Sequence, residues 1–191
     1  MFRKTQFKNS LLATISLVAS LGLVQSPAFA GSLTLHSDSI ANGGALGNKN
    51  LWNNFGCAGE NIMPDLKWSG APSDTKSFAI TVHDEDAPTG SGFWHWIAYN
   101  IPANITSLPG GVAGGQLPAG ITQGNTDLGN PGYFGACPPV GRLHHYKYTV
   151  YALKTEKLPV PNNATAALTG FFLWQNTLEQ ASITFTAGPR K

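Results

Sequence analysis

Ionised residues are scarce in this chain of 191 residues, which has ten acidic and twelve basic side chains. Three of the basic residues, Arg3, Lys4 and Lys8, lie close to the N-terminus. Nine basic and ten acidic residues follow position 30, which gives that part of the chain a formal charge of −1. No basic patch remains there, so the composition argues against a surface for nucleic acid or for an anionic membrane.

Common catalytic and metal-binding motifs are also missing. The sequence contains no Gly-x-Ser-x-Gly, His-Glu-x-x-His or Cys-x-x-Cys, which are typical of serine hydrolases, zinc proteases and redox or metal sites. We therefore expect no cofactor and no metal ion. A zinc site built from histidine and aspartate is the weaker alternative, because tight zinc binding needs three or four convergent ligands.

Long apolar runs are absent outside the first thirty residues. The positive start is followed by an apolar run from Leu11 to Val24 and by the small-x-small sequence Ala28-Phe29-Ala30, an order typical of a secretory signal peptide. We predict cleavage after Ala30, a periplasmic or secreted location, and one domain over residues 31–191 with no transmembrane segment. An uncleaved anchor helix is the alternative.

Cysteine is limited to Cys57 and Cys137. An even count in an exported protein predicts one disulfide between them. Two free buried thiols are the alternative.

Alternation of apolar and polar residues predicts several strands, the clearest of which runs from Lys76 to Asp84. The other predicted strands are 32–36, 66–68, 94–101, 146–153 and 182–186. Residues 107–132 are rich in glycine and predict a long loop. One helix is predicted from Asn163 to Gln180, capped by Asn162 or Asn163, with a broad apolar face. The fold class is mainly β: an antiparallel β-sandwich with a few peripheral helices, one near the C-terminus.

Three consecutive acids, Asp84, Glu85 and Asp86, end the clearest strand, and His95 follows between two tryptophans. Because acids are so few, this cluster indicates a site in which Asp84, Asp86 and His95 line a small polar pocket. A second loop, 132–146, would close it. The alternatives are a solvated acidic turn and a buried histidine with a purely structural role.

Three motifs resemble the phosphatidylethanolamine-binding protein family, also called Raf kinase inhibitor proteins, in its bacterial branch. They are Asp-Glu-Asp-Ala-Pro with Gly-Phe-Trp-His-Trp at 84–96, Gly-Tyr-Phe-Gly-Ala-Cys-Pro-Pro with Leu-His-His-Tyr at 132–146, and Asn-Ile-Met-Pro-Asp-Leu-Lys-Trp at 61–68. The resemblance implies an antiparallel sandwich with an anion pocket at one end of a sheet. The pocket residues that it implies are Asp84, His95, Gly135, Pro138, His144 and Tyr146, supported by Asp86 and Pro88.

Two positions depart from the family pattern, because Glu85 stands where a proline is usual and His145 where an arginine is common. The latter removes a permanent cation near the site. The sequence leaves open whether the Ala87–Pro88 peptide bond is cis.

The predicted function is an exported binding module, not an enzyme. Its ligand would be a small anionic or phosphorylated group such as phosphate or phosphoethanolamine. The resemblance also implies a protein partner, which this protein would regulate in the manner of a kinase inhibitor or a protease inhibitor. The alternative is a hydrolase in which Asp84, His95 and His144 activate water, or in which Cys137 and His144 form a nucleophile pair.

Overall fold

A computed structural model describes residues 32–112 and 117–191, so the predicted signal peptide lies outside the described residues. Two antiparallel sheets face each other. The strands are β1 Thr34–His36, β2 Leu66–Ser69, β3 Ser77–Asp84, β4 Phe93–Pro102, β5 Ser107–Leu108, β6 Thr122–Gln123, β7 His144–Leu153 and β8 Thr177–Ala187. The smaller sheet has the order β1-β2-β5 and the larger the order β6-β4-β3-β7-β8. The predicted antiparallel, mainly β fold is confirmed.

The main core lies between the two sheets. Alternate residues of β3, among them Ile80 and Val82, are buried against Leu66 and Trp68 of β2 and against neighbouring strands. The other face of β3 is buried as well, because Ala79 packs in a second cluster with Leu173 of the helix. The centre of the large sheet is therefore covered on both faces, and this fixes the position of the strand ends that carry the acids.

Among the described residues the one α-helix, α1, runs from Ala166 to Asn176, and it is shorter than predicted. Its N-cap is Thr165, whose hydroxyl accepts a hydrogen bond from the amide of Leu168 at 3.2 Å, so the predicted asparagine caps are wrong. The predicted apolar face is also wrong, because Phe171 and Trp174 are exposed and the buried side of the helix includes Leu173.

The last strand begins where the predicted helix was expected to continue. Strand β8 starts at Thr177, directly after α1, and pairs with β7 along its length. The long loop after Ser107 contains two short strands, β5 and β6, which extend the small and large sheets respectively. Both differences arise because pairing with a neighbouring strand decides the backbone conformation there, and local sequence does not encode it.

The predicted disulfide is present: the sulfur atoms of Cys57 and Cys137 are bonded at 2.07 Å. In the described residues the one cis peptide bond joins Gly188 to Pro189, so the bond between Ala87 and Pro88 is trans. No helix within 32–112 or 117–191 is long and apolar enough to span a membrane.

Candidate functional site

Three strand ends meet at one edge of the large sheet. Strand β3 ends at Asp84, and its neighbours β4 and β7 begin at Phe93 and His144. Because β3 is antiparallel to both, its last residue lies beside their first residues, and Asp84 pairs with Phe93 on one side and Tyr146 on the other. Residues far apart in sequence are thus brought to one end of the sandwich.

His95 owes its position to a β-bulge. Val82 pairs with Trp96 and His83 pairs with Trp94, so His95 is an extra residue in β4 without a partner on β3. A bulge of this kind re-aims a side chain and bends the strand. It turns His95 to the cavity side of the sheet, beside the ring of Tyr146, with ring centroids 5.2 Å apart.

Asp84 is the hub of the site. Its Oδ2 accepts a hydrogen bond from Nδ1 of His144 at 2.7 Å, and its Oδ1 accepts from the amide of Asp86 at 3.0 Å. Asp84 and His144 are only 3% and 4% exposed. A carboxylate so deeply buried needs such partners. Since Nδ1 of His144 is committed to Asp84, its Nε2 is the ring atom left for a ligand.

His95 is held in the same way by the second loop. Its Nδ1 donates to the carbonyl of Phe134 at 2.9 Å, which leaves Nε2, 4.0 Å from Oδ2 of Asp84, as the other free ring atom. Burial lowers the pKa of His95, and the hydrogen bond to Phe134 and the charge of Asp84 offset only part of this effect. His95 is therefore neutral at pH 7, and its Nε2 carries a lone pair.

The hydroxyl of Tyr146 is buried, and it has no hydrogen-bond partner among the described residues. Burial, followed by the charge of Asp84, raises the pKa of Tyr146, so the phenol stays protonated. A buried hydroxyl without a partner costs about 1–3 kcal/mol. Because Tyr146 is not among the residues that line the neighbouring cavity, a buried water molecule is the expected partner of this hydroxyl.

A cavity of about 350 Å³ lies next to this cluster. Asp84, His95 and His144 supply its ionisable surface, and the remaining wall is mainly apolar. That wall consists of Trp52, Phe55, Ala87, Pro88, Thr89, Phe93, Leu128, Cys137 and Pro139.

The disulfide lies in the wall of this cavity. It joins Cys137 to the segment that carries Trp52 and Phe55, whose rings stack with centroids 5.0 Å apart. Phe55 is 70% exposed and has a φ of 52°, which is unusual for a bulky residue. The bridge therefore fixes an aromatic rim that is otherwise little buried. Because Cys137 is bonded, its sulfur is not a free thiol next to His144.

Asp86 lies outside the cavity lining. Its Oδ2 accepts hydrogen bonds from both the amide and Nδ1 of His145 at 2.7 Å, and the bond from the His145 ring is the main reason why the pKa of Asp86 is lowered. Glu85 pairs with Lys147 at 3.1 Å on the same surface. Of the two positions that depart from the family pattern, Glu85 is thus engaged in an exposed ion pair and His145 in an exposed hydrogen bond to Asp86.

The remaining predicted residues support the site from different places. Pro88 lines the cavity. Tyr146, Gly135 and Pro138 are not among the residues that line it. The amide of Gly135 donates to Oδ1 of Asn61 at 2.7 Å, and the carbonyl of Pro138 accepts from Nε of Arg190 at 2.6 Å. Gly135 also permits a close approach, since a Cβ there would lie 2.6 Å from the carbonyl oxygen of Asn50.

Sequence reasoning missed Trp52, Phe55 and Leu128, which complete the apolar wall. Trp52 and Leu128 lie in segments without periodicity, and nothing in their neighbourhood indicates a site. The one available signal was the proximity of Phe55 to Cys57 in the sequence. The predicted disulfide joins Cys57 to Cys137 and therefore brings Phe55 close to the second loop. In the part of the chain that the structure describes, no group of three or more His, Cys, Asp or Glu residues is arranged to hold a metal ion.

Comparison with known proteins identifies a matching family and similar chains. The family model described as phosphatidylethanolamine-binding protein matches residues 36–188. The UPF0098 protein YbcL of Escherichia coli (strain K12) is 46% identical over 177 residues, which cover 91% of this chain and 97% of YbcL. The UPF0098 protein YbhB of the same organism is 43% identical over 154 residues, covering 80% of this chain and 98% of YbhB.

A solved structure gives the same result for the fold. The crystal structure of E. coli YbcL, described as a new member of the mammalian PEBP family, matches with a TM-score of 0.78 and 47% identity. The match covers 82% of this chain and 98% of the YbcL chain.

Proposed function

The chain belongs to the phosphatidylethanolamine-binding protein family, as its motifs predicted, and on that premise we propose that it is an exported binding protein for a phosphate-type or phosphoethanolamine-like group. The observation that carries this proposal is the pair of buried imidazoles, His95 and His144, whose Nδ1 atoms are both committed to protein acceptors. Both rings are thereby held with Nε2 as the atom left for a ligand.

Because Nδ1 carries the hydrogen in both rings, the protonation state of Nε2 determines how the affinity for an anion depends on pH. In its neutral form each ring has a lone pair on Nε2 and accepts a hydrogen bond, whereas the protonated ring donates from Nε2. A phosphate-type anion therefore binds either with proton uptake by a histidine or as a protonated phosphate that donates its own hydrogen. The anion affinity should increase as the pH falls through the histidine range.

The buried negative charge of Asp84 disfavours an anion that carries no positive group of its own. Phosphoethanolamine carries an ammonium group beside its phosphate, so the ammonium offsets the carboxylate while the phosphate engages Nε2 of His95 and Nε2 of His144. The apolar wall that includes Trp52 and Phe93 strengthens these contacts by excluding water. A ligand with both charges is thus favoured over inorganic phosphate.

A protein partner is the second part of the proposal. An anionic group on a partner surface, a phosphoserine for example, could enter the same cavity, with the exposed ring of Phe55 at the contact. Regulation of a kinase or protease is what the family resemblance suggests. The location is inferred from the signal-peptide pattern and from the disulfide, which persists in an oxidising compartment.

A hydrolase is the competing proposal. The contact between Asp84 and His144 matches the arrangement of a general base with its orienting carboxylate. The nucleophile would then be a water molecule, because the sulfur of Cys137 is engaged in the disulfide. Turnover of p-nitrophenyl phosphate or p-nitrophenyl acetate that is lost in His144→Gln would favour this alternative.

The test is calorimetric titration with phosphate, phosphoethanolamine and sulfate at about pH 5.5 and about pH 8. Sulfate does not titrate in this range, so its pH dependence reports on the protein alone. We expect tighter sulfate binding at the lower pH, proton uptake on binding, and phosphoethanolamine as the best ligand. His95→Gln and His144→Gln should weaken binding.

The matched control is His145→Gln, since His145 is exposed and lies outside the cavity lining. It should leave the affinity unchanged. The proposed anion site would be contradicted by unaltered binding in the double variant His95→Gln/His144→Gln, or by no binding of any of the three ligands at either pH.

A further inference from the structure

Arg190 follows the last strand, β8, and its guanidinium connects two segments that border the proposed anion pocket. Its Nε donates to the carbonyl of Pro138 at 2.6 Å, and its Nη1 donates to the carbonyl of Gly56 at 2.8 Å. Both hydrogen bonds come from a charged donor, and such bonds are stronger than those between neutral groups. One side chain therefore joins the segment around residue 56 to the segment around residue 138.

The two carbonyls that Arg190 bonds belong to residues next to the cavity wall. Pro138 lies between Cys137 and Pro139, both of which line the cavity. Gly56 directly follows a third lining residue, Phe55. The arginine is not among the lining residues, so it bonds the backbone of the wall and does not contact the ligand.

The backbone of Arg190 holds the second segment at another point. Its carbonyl accepts from the amide of Gly141 at 2.9 Å, and the residue forms an isolated parallel bridge with Val140. Together with the bond to Pro138, this contact fixes the segment at both ends. The segment leads into His144, whose Nε2 is one of the two ring atoms left for a ligand.

Gly188 lets the chain approach this second segment closely. Its φ is 91°, and a Cβ at this position would lie 2.2 Å from the carbonyl oxygen of Arg142. A larger residue would push the chain away from the segment. The glycine thus places Arg190 within reach of both carbonyls.

Packing holds the tip of the first segment only weakly, because Phe55 is 70% exposed. Its amide is bonded to the side chain of the adjacent Asn54 and not to another segment. The disulfide joins Cys57 to Cys137 through their side chains, whereas Arg190 bonds the backbone of both segments. Because a guanidinium is planar and its donors have fixed directions, it orients both carbonyls.

We propose that Arg190 is a positioning residue for the anion pocket. It holds the ring of Phe55 and the segment that leads into His144 in the arrangement that binds the ligand. This role presupposes the binding function proposed above. The pocket then depends on three parts of the chain, although the residues after β8 contribute nothing to its lining.

The test is calorimetric titration of Arg190→Ala with phosphoethanolamine, beside the matched variant Arg142→Ala. Arg142 is exposed, and its side chain forms no hydrogen bond or ion pair with the described residues. Both variants lose one positive charge near the pocket, but only Arg190→Ala releases the two carbonyls. We expect the affinity to fall at least about tenfold in Arg190→Ala and to change less than about twofold in Arg142→Ala.

A double-mutant cycle separates positioning from a general loss of stability. If Arg190 acts through the aromatic rim, Arg190→Ala should weaken binding less in the Phe55→Ala background than in the wild type. Arg190→Lys retains the charge but not the planar fork, so its affinity should fall as well. It also replaces Arg190→Ala if that variant fails to fold. The positioning role would be overturned by wild-type affinity in either Arg190 variant, by equal effects in the two backgrounds, or by an equal loss in Arg142→Ala.

The rate at which dithiothreitol reduces the bond between Cys57 and Cys137 gives a readout that needs no ligand. Once the carbonyls are released, the two segments separate more readily, so reduction should be at least about threefold faster in Arg190→Ala than in the wild type or Arg142→Ala. An unchanged rate would overturn the positioning role even if the wild type bound no anion. Absence of binding by the wild type would instead overturn the binding function itself.

Discussion

Asn61 joins the early loop to the loop that carries Gly135. Its Oδ1 accepts the amide of Gly135 at 2.7 Å, and its Nδ2 donates to the carbonyl of Tyr133 at 3.2 Å. Its own φ is 58°, a conformation that asparagine tolerates better than most residues. One side chain thus holds the backbone on both sides of Phe134, whose carbonyl orients His95.

Replacing Asn61 by alanine should lower the free energy of unfolding by about 1–3 kcal/mol, because two partly buried backbone groups lose their partner and the positive φ becomes strained. Asn61→Gly removes the same hydrogen bonds but tolerates the positive φ, so it should be less destabilising. Urea denaturation measures both. A loss below about 0.5 kcal/mol in Asn61→Ala would mean that water replaces both contacts.

Removal of the disulfide should affect both stability and binding. The double variant Cys57→Ser/Cys137→Ser loses a bridge that closes 80 residues, and we expect a loss of about 2–5 kcal/mol. Phosphoethanolamine affinity should decline as well, because Trp52 and Phe55 are then no longer fixed at the cavity. Thermal denaturation and calorimetry measure the two effects. Reduced wild-type protein should behave like the variant, and an unchanged affinity would exclude the aromatic rim from binding.

Tyr146→Phe should reduce neither stability nor binding. The hydroxyl that it removes is buried without a partner in the described residues, so the folded protein should be equally or more stable. Phosphoethanolamine binding should not change, because Tyr146 is not among the residues that line the cavity. The matched variant is Tyr133→Phe, which deprives Tyr148 of a buried partner at 3.0 Å and should cost about 1–3 kcal/mol. Equal destabilisation by both variants would contradict this assignment.

Asp65 should stabilise the fold except in strong acid. Burial alone would raise its pKa, but hydrogen bonds from Ser39, Asp38 and Ser37 outweigh this and lower the pKa from 3.8 to about 2. The folded state therefore favours the carboxylate. The stabilisation is complete above pH 3.8 and is lost as the pH falls through about 2.

Asp65→Asn should lower the free energy of unfolding by about 1–3 kcal/mol at pH 7, and this difference should shrink between pH 3.8 and about 2. Urea titrations across that range measure it. Asp74→Asn is the control, since Asp74 is exposed and lies in a turn. A difference between Asp65→Asn and the wild type that does not vary with pH would show that shape, and not charge, makes the residue important.

Much of the sheet could be predicted because its strands alternate clearly. Strand β3 has apolar residues at 78, 80 and 82, and its end at Asp84 follows directly from the acids after it. The disulfide and the proximity of Asp84, His95 and His144 also agree with the sequence interpretation. The motifs at 84–96 and 132–146 carried that information, since each adjoins a strand whose end lies at the site.

What could not be predicted depends on contacts between distant segments. Apolar residues recur on both sides of the junction between α1 and β8 and neither glycine nor proline follows Asn176, so no strong local signal marks the end of the helix there. The rings of Phe171 and Trp174 were assigned to the buried face of the helix because they are apolar, but both are exposed.

The unpaired position of His95 in β4 makes the pocket depend on strand length as much as on residue identity. Deleting Trp94 would bring His95 into regular pairing with His83, on the face of the sheet opposite to that of Asp84. A homologue that retains every pocket residue therefore still loses the pocket if this one residue is deleted. Conservation of spacing at this point in an alignment is a stricter criterion for a shared site than conservation of the histidine alone.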